Sequence, residues 1–197
     1  MLICYFEAKP IQGMTIIGIS GSLRKNSYNA GLLRAAAEVV SAGTRLEVVS
    51  IREIPLFDGD LEEAGGIPAA VQQIKDRIAS ADALLLATPE YNNSIPGVFK
   101  NAIDWMSRPA KDIKRVFGDR PVALMGATPG PGGTSLAQSA WLPVLRVLQT
   151  RPWFGGRLLV SNAGKVFDGK GNLFDDQIRA QLKTFIAGFE EFIGKRL

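Results

Sequence analysis

Short apolar runs rich in β-branched residues alternate along the chain with longer segments whose apolar positions recur at helical spacing, and this alternation predicts an α/β protein. The run 15-TIIGIS-20 predicts a first strand. Residues 29–43 (NAGLLRAAAEVVSAG) predict a helix with glycine at its end, and 45-RLEVVSI-51 a second strand. A loop with Pro55, Gly65 and Gly66 leads to a helix over 68–80 with proline in its first turn, then to a third strand, 82-DALLLATP-89. Helix 96–107, strand 121–128, helix 134–149, strand 157–162 and helix 174–196 complete the alternation.

The runs ALLLA, VALMGA and LLV are apolar at consecutive positions, so both faces of their pleat are buried. Helices must then cover both sides of a parallel sheet. With right-handed crossovers the expected fold class is α/β, a doubly wound three-layer sandwich with a five-stranded parallel sheet and helices on both faces. Ligands in such sheets bind beyond the carboxyl ends of the strands, near the reversal of winding. The loops after strands 1, 3 and 4 are therefore the places to look for chemistry.

Composition narrows the chemistry further. A chain of 197 residues suits one domain, taken as residues 14–197, with residues 1–13 read as an extension of unassigned role. It contains no histidine, which excludes Ser-His-Asp and Cys-His nucleophiles as well as His-ligated zinc or haem. The single Cys4 can form neither an internal disulfide nor a zinc cluster, and no signal peptide or apolar run of roughly 18 residues is evident. The expected location is cytoplasmic, with no membrane partner. The net charge of +4 is spread along the chain; no basic stripe with interleaved aromatics points to nucleic acid.

The first loop, 18-GISGSLRKNSYNAG-31, is dense in small polar residues (Ser20, Ser22, Asn26, Ser27, Asn29), carries Arg24, and ends at a helix N-terminus. Backbone N–H groups, the positive helix end, hydroxyls and a guanidinium suit a phosphate. Ser27 taken alone reads better as an ordinary N-cap. The loop has neither the Walker glycine-lysine-serine/threonine nor the G-x-G-x-x-G of dinucleotide sites, and strand 2 ends without an acidic ribose ligand. A phosphomonoester such as that of FMN fits better. In the second loop, 88-TPEYNNSIPG-97, Tyr91 supplies a flat aromatic and Asn92 and Asn93 supply amides before Pro96 opens a helix; taken singly, Glu90 reads as solvated and Trp105 as core. The third loop, 126-GATPGPGGT-134, has a glycine- and proline-rich backbone that can approach a ligand while holding its shape.

Together, GSLRKNSYN (21–29), TPEYNNSIPGVFKNAIDW (88–105) and GATPGPGGT (126–134) resemble the NADPH-dependent FMN reductase family of the flavodoxin-like fold, which includes quinone, chromate and azo-dye reductases. The resemblance spans residues 14 to about 195. It implies FMN as cofactor and NADPH or NADH as cosubstrate. In the implied site Ser20, Ser22, Leu23, Arg24, Ser27, Tyr28 and Asn29 surround the phosphate, Pro89, Glu90, Tyr91 and Asn92 line the isoalloxazine ring, and Ala127, Thr128 and Gly130 approach its other side. It further implies ping-pong electron transfer to quinones, chromate, azo compounds or free flavin, and a homodimer or homotetramer. No catalytic side chain and no metal is expected, because the flavin carries the chemistry. A flavodoxin-type carrier that uses no nicotinamide is the alternative; the basic charge argues against it.

Overall fold

The computed structural model describes residues 13–195, so the extension 1–13 lies, Gly13 excepted, outside the described residues. The strands are β1 (Met14–Ser20), β2 (Thr44–Val49), β3 (Ala83–Ala87), β4 (Pro121–Ala127), β5 (Arg151–Pro152) and β6 (Leu158–Val160). The helices are α1 (Tyr28–Val39), α2 (Gly59–Gly65), α3 (Ala69–Ser80), α4 (Gly97–Met106), α5 (Ile113–Val116), α6 (Ser135–Val147) and α7 (Asp176–Gly194). Every strand pairing is parallel, and the order is β2-β1-β3-β4-β5, with β6 also on β4. Winding reverses between β1 and β3, which is the flavodoxin-like switch point.

The alternation of side chains along each strand makes the three layers. Ile16, Leu85, Ala87, Ala123 and Met125 point to one face, where Leu32, Leu33 and Ala36 of α1 and Phe185 and Phe189 of α7 cover them. Their neighbours Ile17, Ile19, Leu84, Leu86 and Val122 point to the other face, under Val71, Ile74 and Ile78 of α3, Phe99 and Ile103 of α4, and Trp141 and Leu145 of α6. Each fully buried Ile, Leu or Phe contributes about 1.5–3 kcal/mol. Two-sided burial is thus why these strands read as unbroken apolar runs.

The structure departs from the expected elements in four places. The fifth strand position holds two short strands: β5 pairs with the start of β4 and β6 with its end, while the intervening Trp153 turns its indole onto Phe185 and Phe189 at 5.0 and 5.6 Å between ring centres. Pro152 has no N–H to continue a ladder, and Gly155 and Gly156 press directly against the indole. Secondly, α2 had no apolar stripe to announce it, since none of its residues is buried; its Asp58 cap accepts from the Asp60 amide at 2.9 Å. Thirdly, α5 is a four-residue turn, too short for a period. Helix 29–43 also ends early, at Val39.

Candidate functional site

The parallel register brings the carboxyl ends of β1, β3 and β4 level, with Ser20 opposite Ala87 and Ala87 opposite Met125. The three loops therefore leave from adjacent points. Gly21 at the start of the first loop donates its N–H to the Ala87 carbonyl at 2.9 Å, and Thr88 donates to the Met125 carbonyl at 2.9 Å. Two glycines permit this closeness: a Cβ on Gly21 would lie 2.2 Å from the Phe99 ring, and one on Gly126 would lie 2.2 Å from the Thr88 carbonyl oxygen.

In the first loop the hydroxyls of Ser20 and Ser22 accept from the amides of Ser22 and Arg24, both at 3.3 Å, which coils the chain towards α1. Ser27 is the N-cap, accepting from the Ala30 amide at 3.2 Å. The backbone N–H groups of Leu23, Lys25, Tyr28 and Asn29 donate to no acceptor among the described residues. Arg24 is exposed, with its guanidinium 5.7 Å from the centre of the Tyr28 ring, and Tyr28 in turn packs on Phe167. Uncommitted amides at a helix N-terminus beside a free guanidinium form an anion cradle, and a phosphate monoester fits it.

Asn29 faces inward rather than into the cradle. Its side chain is 98% buried, donating from Nδ2 to the Ala127 carbonyl at 2.8 Å and accepting at Oδ1 from the Ala127 amide at 2.9 Å. Helix α1 is thereby fastened to the end of β4, and both polar backbone groups of Ala127 are engaged. Sequence reasoning missed Arg52, which follows β2 and donates to the Leu23 carbonyl in the cradle. Its partner lies 29 residues away with no motif around it, so no local signal could have pointed there.

In the second loop Pro89 is buried and Tyr91 and Asn92 are exposed. Tyr91 and Ser94 exchange backbone hydrogen bonds at 3.1 and 3.0 Å across Asn92 and Asn93, whose φ values of 49° and 60° make a type I′ turn. Asparagine tolerates this left-handed region better than most residues. Trp105 is fully buried and donates from Nε1 to the Pro55 carbonyl at 3.0 Å. Glu90 is not simply solvated. Its Oε2 accepts from the amides of Leu136 and Ala137 at 2.8 and 2.9 Å, the first turn of α6.

In the third loop Thr128 donates its N–H to Val160 and its carbonyl accepts from Ala163, both at 3.0 Å, while the Gly130 carbonyl accepts from Asn162 at 3.0 Å. These bonds fix the loop from behind, and Gly130 borders open space on its free side. The Pro89–Asn92 segment and the Gly130 turn follow adjacent strands, so a slot for a flat ring would lie between them, beside the anion cradle. Two cavities, of about 600 and about 310 Å³, lie elsewhere around Trp153, Gly156 and Arg157 and contain none of these residues. The loops remain the better candidate, because the uncommitted donors and the strand ends converge there. No cluster of three metal-ligating side chains occurs among the described residues.

Switch-point topology, an anion cradle and an exposed tyrosine on the neighbouring loop fit a flavodoxin-like flavin-binding protein. Residues 14–165 match the model of the NADPH-dependent FMN reductase family. An NAD(P)H-dependent FMN reductase of Pseudomonas aeruginosa is 43% identical over 178 residues, covering 90% of this chain and 94% of that protein. A 2-hydroxy-1,4-benzoquinone reductase of Burkholderia is 34% identical over 189 residues, covering 93% and 98%. Among solved structures, the flavoenzyme NAD(P)H:acceptor oxidoreductase of Paracoccus denitrificans superposes with a TM-score of 0.80 at 30% identity, covering 91% of this chain and 97% of that one. The chain belongs to the NADPH-dependent FMN reductase family; it is an oxidoreductase, with FMN as cofactor and NAD(P)H as cosubstrate.

Proposed function

We propose that this oxidoreductase passes electrons from NADPH or NADH to quinones, with chromate, azo compounds and free flavin as further acceptors, from FMN held by the three loops. The observation that carries the reading is the row of uncommitted amides at Leu23, Lys25, Tyr28 and Asn29 beside the Arg24 guanidinium, at the same sheet edge as the loops of Tyr91 and Gly130. FMN held there would supply two-electron redox chemistry. The chain's own residues bind and orient. The amides of Leu23, Lys25, Tyr28 and Asn29 hold the phosphate, with Ser20, Ser22 and Ser27 shaping the loop and Arg24 supplying charge. Pro89, Tyr91 and Asn92 form one side of the ring slot, and Ala127, Thr128 and Gly130 form the other.

Donor and acceptor would share the one open side of this slot in turn, which is ping-pong kinetics. Tyr91, exposed on its type I′ turn, shapes the space an acceptor enters. The domain of residues 14–197 works as a homodimer or homotetramer; the exposed Leu136, Leu142 and Val147 on α6, with Phe154 nearby in the chain, support an apolar contact between copies. No helix among the described residues is long and apolar enough to cross a membrane, and a cytoplasmic location fits the redox partners.

The test is an absorbance spectrum of the purified protein, with FMN added, followed by anaerobic NADPH and then NADH. Flavin bands that bleach on addition of nicotinamide and return on addition of a quinone support the reading. Bound flavin that neither donor bleaches would indicate an electron carrier of the flavodoxin kind, and a protein that takes up no FMN would overturn the cofactor site.

A further inference from the structure

Helix α6 is capped in an unusual way. Its N-cap residue, Thr134, is fully buried and makes no side-chain bond to the helix amides; its Oγ1 instead accepts from Gln138 Nε2 at 3.0 Å. The amides of Leu136 and Ala137 are satisfied by Glu90, 46 and 47 residues earlier in the chain. A helix end normally takes its cap from the residue next to it. Here the cap comes from the opposite loop of the ring slot.

We propose that Glu90 is a positioning residue whose side-chain length sets the width of that slot. The inference rests on the proposed FMN site and extends it. Beyond Thr88, whose N–H makes the bond from the second loop to β4, Tyr91 and Ser94 bond only each other, so the turn that carries Tyr91 has no backbone tie to the third loop among the described residues. The Glu90 carboxylate ties that turn instead to the start of α6, which follows the third loop, at 2.8 and 2.9 Å. A carboxylate accepting two amides at the positive end of a helix is a strong and directional tie. It acts on a ligand through the spacing of Tyr91 and Gly130, with no direct contact needed.

The experiment compares Glu90→Gln, Glu90→Asp and Glu90→Ala with the wild type. Gln keeps the length and an acceptor oxygen, Asp keeps the charge but is one methylene short, and Ala keeps neither. In the apoprotein, amide hydrogen exchange at Leu136 and Ala137 is expected to speed up about tenfold or more for Ala and Asp, and to stay within about threefold of wild type for Gln. In the loaded protein the FMN dissociation constant and the KM for 1,4-benzoquinone are expected to rise about tenfold for Ala and Asp, with Gln restoring most of both. Wild-type behaviour of Asp with failure of Gln would show that charge and not length matters, and would overturn the proposal. Lost amide protection with unchanged FMN affinity and KM would reduce Glu90 to a helix cap and overturn it as well. A wild-type protein that binds no FMN would defeat the functional reading separately, while the exchange data would still report whether Glu90 ties the two loops.

Discussion

Replacing Asn29 with alanine separates two roles that the sequence left merged. Asn29 sits in the phosphate loop, yet its carboxamide forms two bonds to the Ala127 backbone, at 2.8 and 2.9 Å, in a 98% buried setting. Alanine leaves a buried N–H and a buried carbonyl without partners, each costing about 1–3 kcal/mol. With some water entering the space, a total loss of about 3 kcal/mol is expected, which for a chain of this size lowers the melting temperature by about 6–12 °C. Asn29→Asp adds a sign test. Its ionised carboxylate would face the Ala127 carbonyl in place of a donor, so its folded-state pKa should be raised. Stability is then retained below the unfolded carboxylate pKa and lost as pH rises, and this variant should suffer less at pH 4 than at pH 7. Thermal melts of the apoprotein by circular dichroism read both effects. A melting point for Asn29→Ala within about 2 °C of wild type, combined with weakened FMN binding, would refute the reasoning and make Asn29 a direct ligand.

Arg24→Ala should weaken FMN binding about tenfold or more, the loss of one charge-assisted contact of about 1.5–3 kcal/mol, with little change in melting temperature because Arg24 is exposed; fluorescence titration reads the first and melting the second. Gly21→Ala places a methyl group 2.2 Å from the buried Phe99 ring, which itself packs edge-on against Trp141 at 4.8 Å. It should cost about 1–3 kcal/mol in denaturant unfolding, and a neutral result would mean the loop moves freely. Away from the site, a hydrogen bond from the fully buried Lys75 holds the Asp112 carboxyl below its ordinary value of 3.8. A depressed carboxylate pKa stabilises the fold above the unfolded value and is lost as pH falls through the folded one, so stability should drop below about pH 4. Asp112→Asn should flatten that decline in acid-unfolding curves.

The sheet was legible because its pattern is set by burial on both faces: Leu84, Leu85 and Leu86 declare a central strand without help from any other segment. The loops were legible as a group because their polar and glycine content has a local cause, whether a helix start, a type I′ turn or a close approach at Gly126. Individual roles were not. Asn29 binds a residue 98 positions away, Glu90 caps a helix 46 positions on, and Arg52 reaches back 29, so the meaning of each lies in a partner that only the folded topology supplies. The divided edge strand escaped notice for a different reason: Arg151 and Pro152 alternate with nothing, and Trp153 reads as core wherever it falls.

That divided edge also limits what another chain could add to the sheet. An exposed sheet margin invites another chain to add a strand, which leads to runaway polymerisation. On the β4 side the margin consists of a two-residue and a three-residue strand separated by a bend around an indole, with a proline in the first. Such a margin gives a foreign strand too short a run of aligned donors and acceptors to grip.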